Sequence, residues 1–351
     1  MSVIDTRDKD RAFAESILAR AREEGWPAIE SVIKARFDAP PAEGILAEMA
    51  HYHYETGGKR IRALIPSAVF GLYGLSPASY PEFPAAIEIL HNATLIHDDL
   101  QDGDEIRRGK ETVWKAYGAP QAINSGDAFF FYSMALLSKL DIDATLLPDI
   151  VTIFAASSLQ VIRGQADEFV EKDQIERTTV DAYLRVVEGK TGGLLGLPLR
   201  GAGLIARGNL DYDQILEGVG NTLGTVFQIQ DDLLDVIGEK GRGFKAADLA
   251  EGKPSFLAIH AIENGSTEQR SRLLSILKKA REETSPDDLK EGISILEDTG
   301  AIRAAFDSIE KLEAHVVSIT EDIAEEELRS FLRGLTGFFL RPIHQVIESH
   351  D

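Results

Sequence analysis

The chain contains no cysteine among its 351 residues. That excludes a disulfide framework, a thiol nucleophile and a thiolate metal site. Basic residues are short as well: 37 Lys and Arg stand against 58 Asp and Glu, a net charge of −21. Such acidity disfavours polyanionic partners, nucleic acid and anionic membrane surfaces alike. Long apolar runs are also missing. The longest, near Ala63–Leu75, holds Pro66 and two glycines and is too short to span a bilayer. The opening MSVIDTRDKDRAFAE is polar and charged, and reads as neither a signal peptide nor an anchor. Alternating β patterns of useful length, internal repeats and low-complexity tracts are absent. These absences predict a soluble, cytoplasmic, helical protein.

Helical signals fill the remainder. Phe13, Ile17, Leu18 and Ala21 recur at helical spacing ahead of a break expected at Gly25-Trp26-Pro27. Ser266 with Gln269 makes a capping box before Leu273, Leu274 and Leu277. Ser285-Pro286-Asp287-Asp288 supplies an N-cap, a proline at the first helical position and an acidic first turn. The 30 glycines are many for such a chain, and are expected in phosphate-binding loops and between helices. Length alone suggests two domains. No linker of domain type occurs, so the expectation is one all-α domain over residues 1–351.

Chemistry is concentrated in two acidic strings, DDLQD at 98–102 and DDLLD at 231–235. Each carries carboxylates at i, i+1 and i+4, and on a helix i and i+4 share a face about one turn apart. In so acidic a chain, a lone match could be a solvated helix face. Both strings, however, sit in apolar company: Leu95 and Ile96 before the first, Val226, Phe227 and Ile229 before the second. Acids embedded in apolar helix are costly to bury unless something pairs with them. Converging carboxylates would repel one another. Magnesium resolves both costs, since it prefers carboxylate oxygens and completes its shell with water and substrate phosphates.

Cations recur beside the acids. GGKRIR (57–62) places Lys59, Arg60 and Arg62 after two glycines that allow close approach to an anion. Arg107-Arg108-Gly109 follows the first acidic string, Lys190-Thr191-Gly192-Gly193 lies midway, and Lys245 and Lys253 follow the second. Arginine grips phosphate oxygens bidentately and lysine acts as a point charge. The alternation implies two anionic groups, one bound through metal and one through side chains.

HDDLQDGDEIRRG (97–109) resembles the DDxxDxxxxRRG pattern of trans-isoprenyl diphosphate synthases, the polyprenyl synthase family. GGKRIR, KTGG and FQIQDDLLD (227–235) resemble further family motifs in the same order, so the resemblance spans roughly residues 50–260. It implies a helical bundle around a central active-site cavity and usually a homodimer. It also implies a Mg²⁺-dependent head-to-tail condensation of isopentenyl diphosphate with an allylic diphosphate. By that resemblance, Asp98, Asp102 and Asp231 would ligate a cluster of three magnesium ions, with Asp99, Asp232 and Asp235 as water-mediated ligands or orienters. Arg107, Lys190 and Lys245 would hold the allylic diphosphate. Lys59, Arg62, His91 and Arg108 would form the metal-free pocket for isopentenyl diphosphate. Thr191 and Gln228 match positions near the reacting carbons and the diphosphate.

Two departures from the family pattern stand out. GRGFKAADLAEGK (241–253) replaces GKxxGxDL, so Lys245 aligns when counted from Asp231 and is displaced by one when counted from Asp248. Glu168 in GQADE stands where an aspartate is more usual. In this family, bulky residues four and five positions before the first aspartate stop chain growth early. Here those positions hold Thr94 and Ala93, which predicts geranylgeranyl diphosphate or longer, with Leu90 or Ile89 as deeper floors. A class I terpene cyclase or a head-to-head coupling enzyme would lack GGKRIR. A non-catalytic partner subunit would lose an aspartate motif or the RRG arginines.

Overall fold

The computed structural model describes residues 3–238 and 246–348. Helices α1 (Val3–Arg20), α2 (Trp26–Asp38), α3 (Ile45–Tyr54), α4 (Ile61–Leu72) and α5 (Glu82–Asp102) come first. A two-stranded hairpin, β1 (Ile106–Arg107) and β2 (Lys110–Glu111), follows. Next come α6 (Val113–Tyr117), α7 (Ala119–Leu137), α8 (Leu147–Asp173), α9 (Val180–Val187), α10 (Gly193–Arg207) and α11 (Asp213–Ile237). The chain finishes with α12 (Ala247–Ala250), α13 (Phe256–Asn264), α14 (Thr267–Leu277), α15 (Pro286–Asp298), α16 (Ala301–Ile319) and α17 (Glu326–Glu348). The all-α expectation holds. Among the described residues no helix is long and apolar enough to cross a membrane.

Two compact units emerge from the packing: Glu15–Ser158 with Leu197–Leu216, and Met1–Ala14 with Leu159–Gly196 and Glu217–Asp351. DDLQD belongs to the former and DDLLD to the latter.

In the DDLQD unit α5 packs along α7, with α2 and α4 against it. From Phe83 to Leu90 every α5 residue is buried. A helix apolar on all sides belongs in a core, and any polar group on it must find a partner there. Gly201 of α10 makes room for Phe83, whose Cζ would lie 2.0 Å from an added Cβ. Phe37 and Phe129 pack with ring centroids 5.2 Å apart beside Tyr132. The break expected at Gly25 is instead a π-helical turn, Ala21–Gly25, that joins α1 directly to α2. Gly25 serves packing there: a Cβ would meet the Pro77 carbonyl at 2.6 Å.

In the DDLLD unit the core gathers Val226, Ile229 and Leu233 of α11 with Phe256 and Ile259 of α13 and Leu296 of α15. Many glycines lie inside helices rather than in loops, because backbones touch. A Cβ on Gly164 would stand 2.2 Å from the Lys190 amide nitrogen, and one on Gly220 would stand 2.2 Å from the Gly196 Cα. The capping box of Ser266 with Gln269 forms, and the Ser285 N-cap also closes a box with Asp288.

Candidate active site

The first aspartate motif is the last turn of α5. Gly103, at φ 72°, stops the helix and donates its N–H to the Asp99 carbonyl. The negative end of the helix dipole therefore coincides with three carboxylates, and no basic residue occupies that turn. Such an end favours a cation. Asp98 is half-buried and Asp102 exposed, one turn apart, whereas Asp99 is 1 % exposed.

Asp99 is held from the hairpin. Arg107 places Nε 2.6 Å and Nη2 2.5 Å from its Oδ1, while Oδ2 is buried without a hydrogen-bond partner. Burial pushes the Asp99 pKa up and the Arg107 bonds oppose that rise. Burial also works against the Arg107 charge, but its bonds to Asp99 outweigh this and raise its pKa. The RRG sequence is explained by the turn. Arg108 (φ 51°) and Gly109 (φ 82°) both take positive φ between paired Arg107 and Lys110, as a type I′ hairpin requires.

GGKRIR forms the entry to α4. Gly57 and Gly58 have φ 85° and 136°, and a Cβ on Gly58 would strike the Arg108 guanidinium at 2.5 Å. Arg108 Nη1 donates to the Gly57 carbonyl, so RRG and GGKRIR, far apart in sequence, are in contact. Arg62 Nη1 lies 3.3 Å from His91 Nε2. Burial lowers the Arg62 pKa to about 10, which leaves it charged at neutral pH. Burial first, then the charges of Arg62, Arg108, Arg107 and Arg60, holds His91 well below its ordinary range. His91 is thus a neutral imidazole in a field of four arginines. Lys59 is exposed. Arg60 turns inward instead, onto Glu88.

The second motif lies in the last two turns of α11, again with no basic residue in the last turn. Asp231 is half-buried. Asp232 accepts from the Tyr183 hydroxyl (2.7 Å), the Phe256 N–H (2.7 Å) and the Gln228 amide (3.1 Å). Burial, then repulsion from Asp248, raises its pKa to about 7. Asp235 is buried and accepts from the Asp248 N–H at 2.9 Å. Asp232 and Asp235 therefore anchor the segments that follow α11, a role the sequence pattern alone did not distinguish from ligation.

Lys190 and Thr191 sit on a π-helical turn, Glu188–Gly192, between α9 and α10. Turns of this kind recur at functional sites. Lys190 Nζ is 2.5 Å from Glu168 Oε2, so the departure at Glu168 keeps an acid on this lysine. Lys253 pairs with Glu251 at 2.8 Å. Lys245 lies outside the described residues. Ala93 is fully buried, and half-buried Thr94 donates its hydroxyl to the His91 carbonyl at 2.8 Å.

Among the described residues no group of three or more His, Asp or Glu is gathered to hold a metal ion alone. Asp98 and Asp102 share a helix face one turn apart, and Asp231 begins the second motif. All-oxygen donors at the negative ends of helices suit a hard ion whose shell is completed by water and phosphate. Tyr183 and Glu88 were missed by the motif reading. Tyr183 stands in no motif, but Glu88 carried a signal, an acid inside the apolar run AAIEILH.

Residues 43–296 match the polyprenyl synthetase family. The short chain isoprenyl diphosphate synthase of Methanocaldococcus jannaschii is 33% identical over 242 residues, 68% of this chain and 72% of the relative. The geranylgeranyl diphosphate synthase of Saccharolobus solfataricus is 30% identical over 305 residues, 86% of each chain. The crystal structure of geranylgeranyl pyrophosphate synthetase from Pyrococcus horikoshii superimposes with TM-score 0.83 at 27% identity, covering 93% of this chain and 98% of that one. With its aspartate-ended helices and arginine-lined loops, the chain belongs to the polyprenyl synthetase family and is a prenyltransferase of isoprenoid biosynthesis.

Proposed function

We propose that the protein joins isopentenyl diphosphate head-to-tail to an allylic diphosphate and releases an all-trans prenyl diphosphate of geranylgeranyl length or longer. The observation that carries this reading is that an α-helix in each unit ends on a DDxxD motif with no basic residue in its last turn. In this reading both units serve one catalytic domain. Asp98, Asp102 and Asp231 would hold the magnesium ions, and bound magnesium would neutralise the charge that builds on the departing diphosphate.

Side chains supply the rest. Arg107 and Lys190, with Lys245 as a further candidate, would take the allylic diphosphate and stabilise it as the C–O bond breaks. Lys59, Arg62 and Arg108 would hold isopentenyl diphosphate, with neutral His91 offering a hydrogen bond without a competing charge. The double bond of isopentenyl diphosphate attacks the allylic cation, forming the new C–C bond. The resulting tertiary cation loses a proton, and the released diphosphate accepts it. Thr191 and Gln228 would line the reacting carbons, where water must be excluded because it would quench the cation. Small Ala93 and Thr94 would leave depth for chain growth.

We read the enzyme as a cytoplasmic homodimer. On α7, Ile123, Phe131 and Met134 form an exposed apolar row, with Phe131 75 % exposed, which a second copy would cover. Light scattering at micromolar concentration tests this; a monomer would reject it.

The reaction is tested with purified protein, Mg²⁺ and labelled isopentenyl diphosphate, supplied separately with dimethylallyl, geranyl and farnesyl diphosphate. A product ladder ending at 20 carbons or more is expected. Failure to elongate any starter, with folded protein, would reject the reading.

A further inference from the structure

We propose that Arg60 and Glu88 are a positioning pair for the isopentenyl diphosphate pocket, binding no substrate themselves; this rests on the reaction assigned above. Arg60 is the middle of the three cations of GGKRIR. Its backbone sits in the left-handed region (φ 58°, ψ 20°) at the N-cap of α4. A residue other than glycine is disfavoured there. The side chain is fastened on several sides. Nη1 reaches Glu88 Oε1 at 2.7 Å, Nη2 reaches the Tyr54 carbonyl at 2.9 Å, and the guanidinium lies 4.2 Å from the Tyr54 ring centroid. Side-chain exposures of 8% and 3% leave neither member available to a diphosphate.

Glu88 stands one turn before His91 on α5. Asn92 donates to both its carbonyl (2.7 Å) and its Oε1 (3.1 Å). Its Oε2, by contrast, is buried with no partner. An incompletely satisfied buried ion pair is a poor source of net stability, since well-packed apolar residues often serve as well or better. Geometry supplies the reason to keep it. Lys59 immediately precedes Arg60, and Arg62 follows two residues later against His91. Pinning Arg60 to α5 therefore sets where Lys59 and Arg62 stand relative to His91. The strained backbone is the consequence: a relaxed residue 60 would turn the loop and move both neighbouring cations.

The test separates positioning from mere stability. The double variant Arg60→Met with Glu88→Leu replaces the ion pair by apolar side chains, so neither member of the pair is left buried without the other. Glu88→Gln, which keeps shape and loses charge, is the second variant. For each, the melting temperature and the KM for both substrates are measured under saturating Mg²⁺. The expected result for the double variant is a rise of tenfold or more in the KM for isopentenyl diphosphate. The allylic KM should stay within twofold and the melting temperature within a few degrees. For Glu88→Gln the expected change is several-fold in the same substrate only. Unchanged KM values in a folded variant, or equal rises for both substrates, would overturn the proposal. A wild-type protein that fails to consume isopentenyl diphosphate would instead reject the assigned reaction, so the two failures are distinguishable.

Discussion

The two aspartate motifs share the DDxxD pattern and differ in their surroundings. In the first, the middle carboxylate is met by a charge: Asp99 takes both contacts of Arg107 on one oxygen and leaves the other buried without a partner. In the second, Asp232 is met by three uncharged donors, from Tyr183, Phe256 and Gln228. The fifth positions also differ. Asp102 is exposed, while Asp235 is buried and bonded to the Asp248 N–H. A repeated motif thus contains two kinds of aspartate. Asp98 and Asp231 are half-buried and Asp102 is exposed, whereas Asp99, Asp232 and Asp235 are buried and brace the polypeptide around them.

Substitution at the leading positions should cost the most activity. Asp98→Ala and Asp231→Ala should each lower kcat by about a thousandfold or more, the scale of losing electrostatic stabilisation of the leaving group. Circular dichroism should show unchanged melting for both. Turnover near wild type in either variant would remove that residue from the metal site.

The middle positions sharpen the contrast. Asp99→Asn leaves Arg107 without its counter-charge, and a lost hydrogen bond to a charged group is worth about 1.5–3 kcal/mol. Turnover should fall roughly 10- to 100-fold. Asp232→Asn can still accept from Tyr183 and Phe256 and discards a charge that burial already disfavours. Its turnover should stay within about threefold of wild type. Equal effects in the two variants would erase the distinction.

Length control is a subtler change within the first unit. Replacing Ala93 and Thr94 together by Phe should shorten the product by about one isoprene unit, since one helical turn spans about 5.4 Å. Chromatography of the dephosphorylated products gives the answer, and an unchanged product would place the floor elsewhere.

The smallest expected effect concerns acid. The surroundings of the first motif include the buried His53, whose pKa is lowered to about 3 by burial first and then by Arg107 and Arg108. Unfolded, it would titrate near 6.5. Between those values the unfolded chain binds a proton that the folded one refuses. Stability is therefore full above about pH 6.5 and is lost as pH falls, by about 2 kcal/mol at pH 5 for one such histidine. His53→Gln should flatten part of the decline in denaturation midpoint from pH 7 to pH 5. An undiminished slope would assign the acid sensitivity to other groups.

Much of this was legible in the sequence, for physical reasons. Helix caps are local, so the box at Ser266 and the N-cap at Ser285 can be read from a few residues. The aspartate spacing is legible because 3.6 residues per turn converts i and i+4 into one face. What could not be read depends on partners distant in the chain. Asp235 looks like Asp102 until Asp248 is brought to it. Arg60 looks like Lys59 and Arg62 until Glu88, on the next helix, claims it. Glycines are expected in phosphate loops and between helices, but Gly164 and Gly220 lie where backbones meet only after folding.

A double-mutant cycle asks whether Asp98 and Asp231 act together in catalysis, as proposed above. Single-turnover rates would be compared for wild type, Asp98→Ala, Asp231→Ala and the double variant at saturating Mg²⁺. Groups that act as a unit are strongly non-additive. If they act together, the double variant should lose little more than either single variant. Losses that multiply would mean that the two carboxylates act independently, against this reading.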